Sequence, residues 1–282
     1  MKLIECPRDA MQGLTHIVPT DLKTAYLNAL LKVGFDTLDA GSFVSPKAVP
    51  QMADTTAVLA GLDLSSTRTK LLAIVANLRG AEQALDSKGV HYLGFPLSVS
   101  ETFQQRNTNK SIAQALTEVE TMQKLCAGAQ KELVIYLSMG FGNPYGDPYS
   151  PEVVSTFTRQ LADLGIRIIA PSDTVGSATP EAIERLFSHL INQHPEVEFG
   201  AHLHAVPGEV EAKVDAVIRS GVRRIDGALR GFGGCPMAAD DLTGNLPTEG
   251  ILPVLEKQNL LPTLNMAAFG EAMTISREVF GY

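Results

Sequence analysis

Two histidines, His202 and His204, stand one residue apart in the apolar run "FGAHLHAV" at 199–206. In an extended strand, residues i and i+2 point to the same face. The pair therefore presents two imidazoles in one direction from a stretch that reads as buried. Two readings fit: core histidines satisfied by their neighbours, or two ligands of one metal ion. Other reactive side chains follow at wide intervals. Arg8 and Asp9 come after the first apolar run, Asp39 ends the second and Asp173 ends the sixth. The glycine-rich "RGFGGCPMA" carries Cys235, and "TGNLPTE" then supplies Asn245 and Glu249. Two imidazoles, a carboxylate and an amide oxygen make a mixed nitrogen–oxygen set. Such a set suits a divalent ion that keeps positions open and acts as a Lewis acid on a substrate oxygen. Ligand softness alone leaves Mg2+, Mn2+ and Zn2+ open. Plainer readings stand beside these: Arg8–Asp9 as a rim ion pair, Asp173 as a turn cap, Cys235 as a small buried hydrophobe. Its setting among glycines favours an accessible loop for Cys235.

These positions meet only if the fold gathers them. Eight short apolar runs recur: 2–6, 35–42, 70–77, 90–98, 132–140, 166–173, 197–205 and 222–231. Several are rich in β-branched residues, and most are too short for a stable helix. The stretches between them carry helical periodicity. Leu22, Tyr26, Leu27, Leu30 and Leu31 mark one face of 20–34, with Thr20 predicted as N-cap and Gly34 as the residue past the end. Ser150–Pro151 opens a helix that stops at Gly165, Thr179–Pro180 opens another, and 209–221 ends at Gly221. Strands alternating with helices imply parallel pairing and right-handed crossovers. Eight such units in a chain of 282 residues predict an α/β fold, a (β/α)8 TIM barrel. An open doubly wound sheet is the alternative, but the first turn, "CPRDAMQG", lacks the G-x-G-x-x-G fingerprint. The reading divides the chain into a catalytic barrel over 1–260 and a helical tail over 261–282 packed on its outside. In a closed barrel, strands one, seven and eight are neighbours, and chemistry sits where strands end.

Composition narrows the partners. Hydrophobic residues at 45% and charged residues at 19% fit a globular chain with a large core. A net charge of −8 repels polyanions, so no nucleic-acid partner is expected. No apolar run reaches membrane-span length, so no membrane partner is expected. The start "MKLIECPRDA" has no apolar leader core. Three cysteines, an odd and sparse count, fit a reducing compartment, and a cytoplasmic location is expected.

Several motifs then fall in a familiar order: "PRDAMQG", "SFVSPKAVPQMAD", "SETFQQRNTNKSI", "SDTVGSATP", "HLH", "GFGGCP" and "GNLPTE". Together, over roughly 1–260, they resemble the hydroxymethylglutaryl-CoA (HMG-CoA) lyases, within the metal-dependent TIM-barrel lyases and acyltransferases. The resemblance implies cleavage of (S)-3-hydroxy-3-methylglutaryl-CoA to acetyl-CoA and acetoacetate, in leucine degradation, with Mg2+ or Mn2+. It implies Asp9, His202, His204 and Asn245 as metal ligands and Arg8 as the group that stabilises the developing enolate. Cys235 would serve proton transfer, and Asp173, Asp39 and Glu249 would be further active-site acids. His202 and Asp173 both stand as bases for the substrate hydroxyl. Gln12, Arg106, Asn107 and Ser111 would handle an acyl-CoA substrate, although a solvated loop at 104–112 reads equally well. A homodimer is common among such proteins.

Two departures stand out. Ala205 occupies the place where the family usually has an acid after the second histidine, and Asp39 stands where it usually has glutamate. They leave room for another acyl-CoA substrate. Three rival readings follow: a related aldolase or acyltransferase on another acyl-CoA or 2-oxo acid, a degenerate barrel that binds a CoA ester, and a metal-dependent hydrolase. Condensing members of the superfamily are expected to be longer. The hydrolase H-x-H belongs to a first strand, and this one falls on the seventh.

Overall fold

The computed structural model describes residues 1–206, 208–234 and 243–281. Eight strands alternate with helices. The order begins β1 (Lys2–Glu5), α1 (Pro7–Gln12), α2 (Thr20–Val33), β2 (Thr37–Ser42), α3 (Thr55–Ala60), β3 (Lys70–Ile74) and α4 (Leu78–Asp86). It continues β4 (Val90–Ser98), α5 (Glu101–Thr108), α6 (Ile112–Gly128), β5 (Glu132–Ser138), α7 (Pro151–Asp163) and β6 (Ile168–Pro171). It ends α8 (Pro180–Gln193), β7 (Glu198–Ala201), α9 (Val210–Arg219), β8 (Arg224–Gly227), α10 (Thr248–Lys257) and α11 (Met266–Phe280). The strands close in sequence order into an all-parallel barrel, and β1 pairs with β8 from Lys2↔Arg224 to Glu5↔Gly227. This is the (β/α)8 barrel that the alternation predicts.

Local chemistry explains the element boundaries. Ser150 and Thr179 accept from the backbone N–H of Val153 and Ala182, so both expected caps form. Asn77 caps α4 in the same way, through Gly80. Gly34 adopts φ +91°, the left-handed conformation that ends α2. Thr20 differs from expectation. It is the first helical residue rather than the N-cap, because Pro19 takes the cap position and the Thr20 hydroxyl turns to Asp54 Oδ2 at 2.7 Å.

Side chains separate into two apolar layers. Leu72, Ile74, Tyr92, Val134, Tyr136, Ile168 and Ala170, drawn from alternate positions of β3 to β6, pack together as one cluster. A larger cluster fills the space between strands and helices. The tail helix α11 joins that outer layer. Phe280 meets Tyr26 of α2 edge to face at 6.2 Å between ring centres and stacks on Phe232 at 4.4 Å. The Asn265 backbone N–H donates to Val33 O at 2.9 Å, so the tail is tied at both ends. Among the described residues, no helix is long and apolar enough to cross a membrane.

Candidate active site

Helix α1 begins two residues after β1, with Pro7 in its first turn. It is only six residues long, yet it delivers Arg8, Asp9 and Gln12 to the mouth of the barrel. These three form a closed set. Arg8 Nη1 donates to Asp9 Oδ1 and to Gln12 Oε1, both at 3.0 Å, and Gln12 Nε2 donates to Asp9 Oδ1 at 2.8 Å. The other edge of the guanidinium is held by Asp39 of β2, through Nε at 2.9 Å and Nη2 at 2.5 Å. Aspartate therefore reaches Arg8 despite being one methylene shorter than the glutamate expected there. Burial pushes the Asp39 carboxyl up, against the pull of Arg8, to about 6. Burial also pushes Asp9 up, but Arg8 first, then His202 and Asn245, outweigh it and hold Asp9 below the ordinary carboxylate range.

His202 and His204 follow β7, and their rings lie 5.5 Å apart. One ligand atom from each, with one carboxylate oxygen of Asp9, all lie within 4.8 Å of one another. Asn245 reaches this group from far along the chain. Residues 203–205 and 244–246 pair side by side: Ala205 N donates to Gly244 O at 3.0 Å and Leu246 N to Leu203 O at 3.3 Å, so His204 faces Asn245 across an antiparallel bridge. The Asn245 amide nitrogen donates to Asp9 Oδ2 at 2.6 Å and Phe232 O at 2.9 Å, which leaves its oxygen as the free acceptor. Gly233 makes this approach possible. It sits at φ +101°, and a Cβ there would collide with the Asn245 amide nitrogen.

The donor set fits a divalent cation. His204 Nε2 is buried and has no hydrogen-bond partner among the described residues, a costly state for a polar atom unless something else engages it. Burial, then the neighbouring His202, pushes His204 down to about 4, so it is neutral and available as a ligand near neutral pH. The first reading of the H-x-H pair, two satisfied core histidines, does not describe it.

Asp226 on β8, which the motif reading passed over although it is a carboxylate inside the apolar run 222–231, places its Oδ2 3.0 Å from His202 Nδ1. Burial pushes His202 down, but the Asp226 hydrogen bond and charge, with Asp9, outweigh it and raise this imidazole. A carboxylate behind one ring nitrogen fixes the tautomer and aims the other nitrogen. Cys6 stands in the same corner, but burial, then Asp226 among other carboxylates, pushes its thiol well up. Asp226 Oδ2 faces His202 Nδ1, the placement of a carboxylate that orients the ring.

A cavity of about 360 Å³ opens over these groups. Arg8, Asp9, Gln12, His202 and His204 line one side, together with Tyr136, Ser138, Ser172 and Thr174. Val44, Ala48, Val49, Ile74, Ala76, Pro96 and Phe103 form an apolar wall, and Asn107, Thr108 and Gly234 complete the lining.

Not every expected residue reaches it. Asp39 stands behind Arg8 and orients it instead of lining the cavity. Asp173 is turned away: its carboxylate accepts from Ala178 N at 3.1 Å and from Lys213 Nζ at 3.3 Å. Glu249 accepts the Arg230 backbone N–H at 3.1 Å, holding the turn after β8. Arg106 stacks over the Tyr145 ring at 4.8 Å, and Ser111 is the N-cap of α6 in a reciprocal capping box with Gln114. Asn107 and Gln12 do line the cavity. Cys235 lies outside the described residues, the last before it being Gly234.

The HMGL-like family model matches residues 3–275. The chain is 32% identical over 275 residues to the mitochondrial hydroxymethylglutaryl-CoA lyase of Macaca fascicularis, covering 96% of this chain and 83% of that protein. It is also 32% identical over 273 residues to the 3-hydroxy-3-isohexenylglutaryl-CoA/hydroxy-methylglutaryl-CoA lyase of Pseudomonas aeruginosa, covering 96% of this chain and 90% of the relative. Among solved structures, an HMG-CoA lyase from Acinetobacter baumannii in complex with coenzyme A and 3-methylmalate superposes with a TM-score of 0.91 at 30% identity. That match covers 99% of this chain and 91% of the other.

Proposed function

The chain belongs to the HMGL-like family of carbon–carbon lyases, and we propose how its own residues cleave 3-hydroxy-3-methylglutaryl-CoA to acetyl-CoA and acetoacetate. The observation that carries this reading is the unpartnered, buried Nε2 of His204 beside Asp9 and His202, at the floor of a cavity flanked by Arg8. Asp9, His202, His204 and Asn245 would hold a divalent cation, Mg2+ or Mn2+, with oxygen and imidazole donors suited to either. When bound, such an ion supplies Lewis acidity that lowers the pKa of the substrate's tertiary hydroxyl.

Arg8 does the electrostatic work. Loss of the hydroxyl proton breaks the C2–C3 bond and leaves an acetyl-CoA enolate. A guanidinium already fixed by Asp39, Asp9 and Gln12 needs no reorganisation to meet that charge. Of the two bases considered, Asp173 faces Ala178 and Lys213, whereas His202 faces the cavity. We therefore assign the proton to His202 Nε2, with Asp226 accepting from Nδ1–H and stabilising the charge that results. His202 Nε2 has one lone pair, so in this step the cation would rest on Asp9, His204 and Asn245 alone. The enolate carbon must then be reprotonated, a role the sequence resemblance assigns to Cys235. The pantetheine arm would pass Asn107 and Thr108 on its way out of the cavity. A place in leucine degradation and a cytoplasmic location belong to the same proposal, supported by the substrate chemistry and the sparse cysteines.

The apolar wall favours a second substrate of the same class, with a larger alkyl group on C3, as the name of the Pseudomonas aeruginosa relative indicates for that protein. A coupled assay of acetoacetate release from HMG-CoA, with Mn2+ or Mg2+ and with chelator, tests the reading. Metal-dependent release is expected, and Cys235→Ala is expected to lower kcat by orders of magnitude. Absence of acetyl-CoA release from both the methyl and a longer-alkyl substrate would remove the assignment.

A further inference from the structure

Helix α9 carries a lysine, Lys213, that is only 2% exposed. Its ammonium donates to the backbone oxygen of His204 at 2.7 Å, to Gly176 O at 3.3 Å and to Asp173 Oδ2 at 3.3 Å. Glu209 Oε2, one turn earlier, lies at 3.3 Å. A buried ammonium is expensive unless every proton is engaged, and here there are acceptors for all three. Those acceptors belong to two different loops, the one after β6 and the one after β7. Asp173 extends the link by accepting from Ala178 N, at the foot of α8. The lysine thus fastens the backbone of His204 to the neighbouring β–α unit. On its other side His204 is fastened by the bridge to Asn245.

We propose that Lys213 is a positioning residue of the cation site: it fixes the backbone from which His204 aims its unpartnered Nε2 at Asp9 and His202. This rests on the reading of those side chains as cation ligands. Two features distinguish it from a lysine that merely stabilises the fold. Its shortest bond goes to the backbone oxygen of a proposed ligand. The acid expected after that histidine is Ala205 in this chain, so the neighbouring side chain offers no carboxylate to brace the site. Bracing through the main chain is the alternative that the structure displays.

The chain contains its own control. Lys23 is also 2% exposed, and its ammonium donates to Gln51 O and, at 2.8 Å, to Asp54, none of which lines the cavity. Mn2+ affinity is measured by EPR titration on wild type, Lys213→Met and Lys23→Met, with thermal unfolding of each in chelator. Lys213→Met is expected to weaken Mn2+ binding about 10–100-fold, and Lys23→Met to leave it within about twofold whatever it costs in melting temperature. If Lys213→Met does not fold, Asp173→Asn replaces it. This variant keeps an acceptor for Ala178 N but removes the charge facing the ammonium, and a weakening of a few fold is expected. Wild-type Mn2+ affinity in the folded Lys213 variant, or in Asp173→Asn where that serves instead, overturns the proposal. Equal weakening by Lys23→Met also overturns it, since the effect would then be general loosening. A wild-type protein that binds no Mn2+ overturns the reading of the site itself, and Lys213's role with it.

Discussion

Arg8 and Arg224 occupy opposite ends of one barrel, both buried among carboxylates, and their surroundings differ. Arg8 has every guanidinium nitrogen engaged, at 2.5–3.0 Å, by Asp39, Asp9 and Gln12. Arg224 begins β8 at the other end, where its nearest carboxylate oxygens are Glu198 at 3.5 Å and Asp36 at 3.9 Å. Its terminal nitrogens have no hydrogen-bond partner among the described residues, and its guanidinium lies 5.7 Å from the Tyr92 ring centre. Gly200 leaves room for its stem, since a Cβ there would come within 3.1 Å of Arg224 Cδ. The Arg8 end is built to hold charge in a chosen direction beside a cavity. The Arg224 end closes the barrel with a long side chain whose charge is loosely compensated. Burial and residue type are nearly the same, so the geometry of the partners separates a site from a plug.

That contrast can be broken most decisively at the arginines themselves. Arg8→Met is expected to lower kcat by about 10²–10³-fold or more and also to lower the melting temperature, because buried Asp39 loses its partner. Arg224→Met should keep kcat within about twofold and leave stability unchanged or improved, because a loosely paired buried charge is often replaceable by an apolar side chain. Steady-state kinetics and thermal unfolding on both variants decide it, and equal losses of activity would erase the distinction. The next effect belongs to the ligands: His204→Ala should weaken Mn2+ binding more than any change at the Arg224 end, as read by calorimetry. Asp226→Asn should follow, with about 10–100-fold lost in metal affinity or activity, whereas Glu198→Gln at the far end should cost neither.

The smallest effect is one of pH. Glu5 of β1 is buried, and burial raises its carboxyl from 4.5 to about 8 against hydrogen bonds from Thr248 and Leu229 that lower it. The folded chain therefore holds a proton that the unfolded chain releases, and this contribution is fully present below about pH 4.5 and lost as pH rises through 8. Melting temperatures between pH 5 and 8 should fall more steeply for wild type than for Glu5→Gln. Parallel profiles would show that Glu5 does not titrate in this way.

The barrel was legible because its alternation is periodic, and helix starts such as Ser150 and Thr179 were legible because a cap acts on the next few residues. Arg8, Asp9, His202, His204 and Asn245 were legible as chemistry at strand ends. Asp226 could have been found by the same rule, since it is a carboxylate inside the apolar run "VRRIDGALRG" at 222–231. Asp173 and Glu249 were beyond that rule. Asp173 follows the end of β6 and Glu249 opens α10, but their direction depends on Lys213 and on the Arg230 backbone. Lys213 itself was invisible, because helical periodicity assigns a lysine to the solvated face unless a buried acceptor is known. The cap at Thr20 failed for a similar reason, with Asp54 drawing the hydroxyl away from the helix.

The most direct measurement is anomalous diffraction at the manganese edge from crystals grown with Mn2+. One peak is predicted, bounded by Asp9, His202, His204 and Asn245, with His204 Nε2 among its ligands. A crystal in which that nitrogen is hydrogen-bonded to protein or water, with no manganese between the four side chains, would contradict the proposed cation site.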